Sequence, residues 1–290
     1  MPASAAAGVP EGLDLTALEQ VARDVAQDAG RMVLEDRPDR LGADSKSTRT
    51  DPVTEMDRRS QELILERLAA LRPDDAVLGE EEGGATGTSG LTWVVDPIDG
   101  TVNYLYGIPE FAVSVAVVVG DPAGRGWTPV AGAVHNPSRA ETFHAHLGGG
   151  ARRSSSTGTR ALAVTQVADL GLSLVGTGFG YAPRRRVRQG RVLAELIGDV
   201  RDVRRQGSAA LDLCAVACGR LDAYYETGLN PWDRAAGQLV AAEAGAVVGG
   251  TDEVPDEALT WAAAPGIAGE LASRVRALTA RHDVAADPSS

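Results

Sequence analysis

Asp96-Pro97-Ile98-Asp99-Gly100-Thr101 follows the apolar pair Val94-Val95, so a buried strand runs directly into two carboxylates, a Pro and a Gly. Acids at the end of a strand project into the crevice at the rim of a sheet, where ligands bind. Pro97 fixes the turn, which lets Asp96 and Asp99 converge with the Ile98 carbonyl beside them. Hard oxygen donors of this kind suit Mg2+ rather than Zn2+. Taken alone, the same six residues also fit a turn with two solvated acids. An EF-hand loop is excluded: the sixth position from Asp96 is Thr101 where a Gly is needed, and the twelfth is Gly107 where a Glu is needed. Two other segments add acids. Ala76-Val77-Leu78 ends in Gly79-Glu80-Glu81-Glu82, and Trp232-Asp233 stands at the start of a predicted helix. Glu81 and Glu82 read as a surface charge run, whereas Glu80 almost directly continues a buried strand. If Glu80, Asp96, Asp99 and Asp233 share one cleft, their repulsion raises their pKa values and destabilises the site until cations enter. About two or three Mg2+ ions would turn such an acidic pit into a phosphate receptor.

The whole chain makes the same demand. It has 290 residues, with Lys plus Arg 28 against Asp plus Glu 40 and a net charge of −12. A surface that acidic repels nucleic acid and phosphate alike unless cations intervene, so no nucleic-acid partner is expected. Hydrophobic residues at 43% and charged residues at 23% are globular usage. At roughly 150 residues per domain, the length suggests about two domains. No apolar run approaches the roughly 18 residues that span a bilayer; Phe111 to Val119 is too short and contains Ser114. The small-residue stretch near the N-terminus has no Lys or Arg before it and does not read as a signal peptide. The expectation is a cytoplasmic protein with no membrane partner. Cys214 and Cys218, four apart in an Ala-rich helical pattern, read as two small core residues.

The elements that must position the acids show in the periodicity. Leu15, Leu18, Val21, Ala22, Val25, Ala29, Met32 and Val33 recur at helical spacing, with Thr16 and Glu19 as a capping box. A second helix opens at Thr54 and ends before Pro73. Strands are then predicted at Ala76–Leu78, Leu91–Val95, Phe111–Val119, Val130–Val134 and Glu141–His146, mostly antiparallel. From Leu172 strands and helices alternate: strands at 173–176, 200–203, 222–226, 246–248 and 260–264, helices at about 188–197, 208–218, 232–244 and from Ile267. The first half thus reads as α+β and the second as α/β. The division falls near 165, giving domains 13–165 and 166–282 with tails 1–12 and 283–290.

These motifs together resemble the inositol monophosphatase family, the lithium-sensitive, magnesium-dependent sugar and polyol phosphatases. Both family signatures are present, Asp96-Pro97-Ile98-Asp99-Gly100-Thr101-Val102-Asn103 and Trp232-Asp233-x-Ala235-Ala236-Gly237, with Glu243-Ala244-Gly245 downstream. Gly79-Glu80-Glu81 and Lys46…Asp51-x-Val53-Thr54-x-x-Asp57 precede them in the family order, and the likeness runs from about residue 15 to 280. Gly176-Thr177-Gly178-Phe179-Gly180-Tyr181 and Arg204-x-x-Gly207-Ser208-Ala209-Ala210-Leu211-Asp212 are similar to the bacterial, actinobacterial type.

The resemblance implies an alternating αβαβα layered sandwich, a homodimer, and hydrolysis of a phosphorylated polyol. Glu80, Asp96 and the Ile98 carbonyl would hold a first metal, and Asp96, Asp99 and Asp233 a second, with a third, looser ion near Glu80. Thr101, hydrogen-bonded to Asp57, would orient and help deprotonate the attacking water. The N–H groups of Gly100 and Thr101 would grip the phosphate. Asp99, Asp233, Glu226 and the backbone at Ala209 would bind the polyol. Myo-inositol 1-phosphate is the expected substrate; fructose 1,6-bisphosphate, histidinol phosphate and a nucleotide 3′-phosphate are alternatives, and a non-catalytic regulatory protein on the same fold is a further one. Val102 replaces a common Thr without removing the needed hydroxyl.

Other features say less about chemistry. Arg184, Arg185, Arg186, Arg188 and Arg191 cluster before a helix, either steering phosphate, meeting a subunit, or simply solvated. His135, His144, His146 and His282 form no ligand set with acids or Cys, and His144 and His146, on one strand face, fit surface or edge positions. Gly148-Gly149-Gly150 reads as a turn, since no Gly-Lys-Ser/Thr follows. Lys46-Ser47-Thr48 reads as a loop over the metals or a polar connector. Arg234 either salt-bridges a neighbour or faces solvent.

Overall fold

Helix α1 (Leu15–Glu35) starts at Asp14, whose carboxylate accepts the N–H of Ala17 at 2.9 Å. The expected Thr16–Glu19 box does not form. With Asp14 at the cap, Glu19 lies beyond the first turn and is buried against the sheet. The computed structural model describes residues 9–10, 12–38, 42–45, 52–124 and 126–284; Lys46, Thr48 and Asp51 lie outside them. Strands β1 (Ala43–Ser45) and β2 (Pro52–Thr54) form a short antiparallel ladder that the periodicity did not reveal. Helix α2 (Glu55–Leu71) opens at Thr54 as expected, through a reciprocal capping box with Asp57.

The first sheet has seven strands in simple sequence order: β3 (Ala76–Gly79), β4 (Leu91–Asp99), β5 (Ala112–Val119), β6 (Thr128–Asn136), β7 (Glu141–His146), β8 (Ala151–Ser155) and β9 (Gly158–Ala161). Only the β3–β4 pair is parallel. The edge hairpin β8–β9 was missed because its residues are polar and solvated, which is how sheet edges avoid pairing with other chains. A short helix α3 (Thr101–Tyr106) joins β4 to β5. After a 3-10 turn at Leu170–Leu172 come β10 (Leu174–Thr177), α4 (Pro183–Leu196), β11 (Asp202–Arg204), α5 (Ala209–Ala217), β12 (Ala223–Glu226), α6 (Pro231–Glu243), β13 (Val247–Gly249), β14 (Thr260–Ala263) and α7 (Pro265–Val284). The second sheet has the order β11-β10-β12-β14-β13, with β10, β11 and β12 parallel.

Alternation along β4 and β5 sorts their side chains into two cores. Trp93, Val95, Val113, Val115 and Val117 pack beneath α1 and α2 with Leu18, Val25 and Ile64. Val94, Ala112, Ala116 and Val118 face the other way and meet α5 and α6, whose far sides touch Tyr224 and Ala262 of the second sheet. A third core places α4 and α7 on the outer face of that sheet, around Trp261, Leu196, Leu271 and Val275. The result is an αβαβα sandwich whose central helical layer is shared by both sheets. Small residues let α6 sit close: a Cβ on Gly237 would lie 2.9 Å from Leu213 of α5, and one on Gly132 would lie 3.2 Å from Ala236. Cys214 and Cys218 pack in this central core, as expected. None of the described helices is long and apolar enough to cross a membrane.

Candidate active site

Strand β4 shifts its register with β5 between Asp96, opposite Ser114, and Asp99, opposite Ala112, so Pro97 and Ile98 bulge between the two acids. Asp96 accepts the N–H of Ile98 at 3.0 Å, closing a tight turn. Gly100 follows with φ +94°, and a side chain there would come within 3.0 Å of the Glu110 carbonyl and 3.1 Å of the Gly207 carbonyl. Only Gly accepts that backbone without strain, and it starts α3 with Thr101 in the first turn.

Helix α2 braces this turn with one polar face. Thr101 Oγ1 lies 3.0 Å from Asp57 Oδ1 and 3.0 Å from the Ile98 carbonyl, able to donate to either. The other Asp57 oxygen accepts from the Thr54 N–H at 2.8 Å and the Thr54 hydroxyl at 2.5 Å, which fixes the carboxylate. Ser60 donates to the Pro97 carbonyl at 3.0 Å. Gln61 donates to the carbonyls of Glu81 and Glu82 at 2.6 and 2.8 Å, and accepts the N–H of Glu81 at 2.9 Å. Glu80 itself donates its N–H to the Val95 carbonyl, so its backbone continues alongside β4.

The central helices bring the remaining groups. Asp233 sits in the first turn of α6, where it accepts the N–H of Asn230 at 2.6 Å. The Trp232 carbonyl accepts from Ser114 of β5 at 3.3 Å. Asp99 accepts from the Ser208 hydroxyl at 2.6 Å and the Ala210 N–H at 2.7 Å, tying the end of β4 to the start of α5. Asn103 donates to the Glu110 and Gln206 carbonyls at 2.6 and 2.7 Å, a second tie between the same loops. Glu226, at the end of β12, accepts from the Tyr224 hydroxyl at 2.5 Å.

The electrostatics show that the acids converge. Burial, then repulsion from Glu80, Asp99 and Asp233, drives Asp96 well above the usual carboxylate range. Burial, then Glu80 and Asp99, does the same to Asp233. Asp99 is raised to about 6 by burial, even though its bonds from Ser208, Ala210 and Ala209 pull the other way. Burial lifts Glu226 to about 7, with Asp99 adding to the rise and Tyr224 opposing it. Asp212, on α5, joins the same field: burial, Glu226 and Asp99 raise it, and it accepts from Gln206 at 2.9 Å. Among the described residues, no three His, Cys, Asp or Glu side chains are drawn close enough to make a finished metal shell. Glu80 and Asp96 share a side-chain hydrogen bond, the other acids stand within electrostatic reach, and every donor is a hard oxygen. That chemistry fits a divalent cation of the Mg2+ type and no soft metal.

Thus the structure gathers Glu80, Asp96, Asp99 and Asp233 in one field, with Asp57 and Thr101 bonded at its edge. Motif reading gave no role to Ser60, Gln61, Asn103, Gln206, Ser208 or Asp212, which hold the site together. Two readings need correction. His144 and His146 are not surface residues without acid partners: their Nδ1 atoms both bond the carboxylate of Glu19, because α1 crosses over the interior strand β7. Arg234 forms no ion pair among the described residues and does not face solvent. It is buried 4.6 Å over the Trp127 ring, donates to Gln238 at 3.1 Å, and is lowered to about 10 by burial. The Arg cluster divides: Arg184, Arg186 and Arg191 are exposed, and the half-buried Arg185 and Arg188 line a cavity. Gly148 and Gly150 do form a turn, and their N–H groups donate to Glu243, each at 2.9 Å.

An αβαβα sandwich with carboxylates at the strand ends defines the class of metal-dependent sugar phosphatases. The chain belongs to the inositol monophosphatase family, whose model matches residues 14–283. It is 47% identical over 271 residues to the inositol-1-monophosphatase SuhB of Mycobacterium tuberculosis, covering 88% of this chain and 91% of that one. The solved Mycobacterium tuberculosis SuhB superposes with a TM-score of 0.77 at 45% identity, over 91% of this chain and 97% of that one. The Nus factor SuhB of Pasteurella multocida is 39% identical over 259 residues, covering 87% of this chain and 92% of its own. Membership makes the protein an inositol-phosphate phosphatase, a hydrolase of phosphoric monoesters.

Proposed function

We propose that the protein hydrolyses myo-inositol 1-phosphate to myo-inositol and phosphate with Mg2+, as a homodimer in the cytoplasm. One observation carries the reading: Asp96, Asp99, Asp233 and Glu80 meet at the end of β4 beside a bonded Thr101–Asp57 pair. Glu80, Asp96, the Ile98 carbonyl, Asp99 and Asp233 would hold the metal ions, about two or three. Bound there, the ions would draw in the anionic ester, acidify water and stabilise the departing alkoxide.

The chain's own groups do the rest. Asp57, fixed by Thr54, accepts the Thr101 proton and leaves an Oγ1 lone pair to receive a proton from the attacking water. That water is thereby aligned with phosphorus opposite the leaving oxygen, and alignment is worth several orders of magnitude in rate. No phosphoenzyme is required. The N–H groups of Gly100 and Thr101 would hold phosphate oxygens. Asp99, Asp233, Glu226 and the Ala209 backbone would accept from or donate to the ring hydroxyls. Glu226 favours a polyol because a carboxylate bridges adjacent hydroxyl groups.

Side-by-side kcat/KM values for inositol 1-phosphate, fructose 1,6-bisphosphate, histidinol phosphate and a nucleotide 3′-phosphate, with and without Mg2+, test the reading. A clear preference for another phosphate replaces the substrate. No phosphate release from any of them would favour a regulatory protein, the role that the name of the Pasteurella relative suggests. Light scattering tests the dimer, and inhibition by Li+ tests the expected lithium sensitivity.

A further inference from the structure

Strand β12 carries Tyr224 and Glu226 two residues apart, so both stand on the face of the second sheet that looks toward α5 and α6. Tyr224 is fully buried, and its hydroxyl donates to Glu226 Oε2 at 2.5 Å. Its neighbours across the sheet are Gly176 of β10 and Ala262 of β14. Both are small, which leaves the ring room to reach along its own strand to Glu226. A Cβ on Gly176 would lie 3.2 Å from the Tyr224 ring and 2.7 Å from Leu221. The parallel pairing of Thr177 with Tyr225 sets Gly178 beside Glu226, and a Cβ on Gly178 would fall on the Glu226 carboxylate itself.

Gly176-Thr177-Gly178 has no task in the reaction, yet it forms a slot that admits the Tyr224 ring at one glycine and the Glu226 carboxylate at the other. Within the slot the two Glu226 oxygens differ. Oε2 is taken by Tyr224, whereas Oε1 has no hydrogen-bond partner among the described residues, and Glu226 is only half-buried. A glutamate without these contacts turns about several side-chain bonds and must be ordered when a ligand arrives, which weakens binding. The Tyr224 bond also opposes the rise that burial imposes on Glu226, favouring the ionised form that accepts from a hydroxyl.

We propose that Tyr224 and the Gly176–Gly178 slot position Glu226 so that Oε1 is presented to the substrate, and thereby make the site select esters of polyhydroxylated alcohols over esters of plain alcohols or phenols. The inference rests on the reading that Glu226 receives ring hydroxyls, and adds what holds it in place to do so. Tyr224 is a positioning residue: it acts on the substrate through Glu226 alone.

Tyr224→Phe, which deletes only the hydroxyl, is assayed with Mg2+ on myo-inositol 1-phosphate and on phenyl phosphate, whose alcohol part has no hydroxyl to recognise. KM for the inositol ester is expected to rise about tenfold with kcat nearly unchanged, while kcat/KM for phenyl phosphate stays at the parent value. Gly178→Ala, which displaces the carboxylate, gives the same split. Myo-inositol, which binds without turnover, should raise the Tm of the Mg2+-loaded parent and raise it less in both variants. In a Glu226→Ala background Tyr224→Phe should add nothing, because no carboxylate is left to hold. Equal losses on both esters would make Tyr224 a purely structural residue and overturn the proposal. So would a further loss in the Glu226→Ala background, or an inositol-ester KM unchanged in both variants while Glu226→Ala raises it. If Glu226→Ala itself leaves that KM unchanged, the polyol role of Glu226 fails first, and the proposal falls with it.

Discussion

Two buried acid sites in this molecule are treated in opposite ways. On the outer face of the first sheet, burial pushes Glu19 up, but the hydrogen bonds and charge of His144 and His146 prevail and hold it at about 2. At the end of β4, burial and mutual repulsion prevail and push Asp96 and Asp233 up. Glu19 has its partners built in, so its task is structural: it pins α1 to β7. At the cleft acids repulsion prevails instead, and a set of buried like charges persists only where something binds to it.

Removing one repelling acid breaks that contrast most severely. Asp96→Asn or Asp233→Asn is expected to lower kcat by about a hundredfold or more. In EDTA the same variants keep the fold and melt no lower than the parent, because a repulsion has been relieved. Adding Mg2+ raises Tm in the parent by ligand linkage and raises it less in the variants. Thr101→Val should cost about 10²-fold in kcat, a typical size for a lost proton-transfer group. Thr101→Ser, which keeps the hydroxyl, recovers most of it.

The pH dependence sharpens the comparison because the two sites slope in opposite directions. Glu19 falls from 4.5 to about 2 on folding, so its contribution is full above pH 4.5 and is lost as pH falls toward 2. Glu226 rises from 4.5 to about 7, so the folded chain holds that proton longer than the unfolded one. Its contribution is full below pH 4.5 and is lost as pH rises through about 7. In EDTA, Tm should therefore decline from roughly pH 5 to 7.5, and Glu226→Gln should flatten that decline. Glu19→Gln should flatten only the acid-side loss. The smallest effect belongs to Ser208→Ala, which removes both the cap of α5 and a bond to Asp99. It is expected to destabilise by about 1 kcal/mol in urea titration.

Much of this arrangement was legible in the sequence. Helices α2, α5, α6 and α7 and the strands before each motif were readable because apolar spacing and caps agree there, as at Thr54. The acids could be named because Gly, Pro and Asp cluster only where a chain must turn. Their support was harder to see. Asp57, Ser60 and Gln61 stand at i, i+3 and i+4 on one helix face, a signal present in the sequence and masked by the charged residues around them. The Glu19 cluster joins residues more than a hundred positions apart, and no local pattern announces such a contact. Strands β8 and β9 escaped because polar edge strands have no apolar alternation. Arg234 was misjudged because adjacent residues on a helix point about 100° apart, so a buried neighbour says little about the next position.

Helix α6 touches four parts of the molecule at once. Asp233 reaches the cleft, Arg234 lies over Trp127, Ala236 and Gly237 seat the helix between the layers, and Glu243 closes the turn at Gly148. With no spare room along its small-residue face, the rod cannot bend to absorb a push. A twist of a few degrees would swing both side chains of its first turn together, and the far hairpin, roughly 20 Å away, would travel with it.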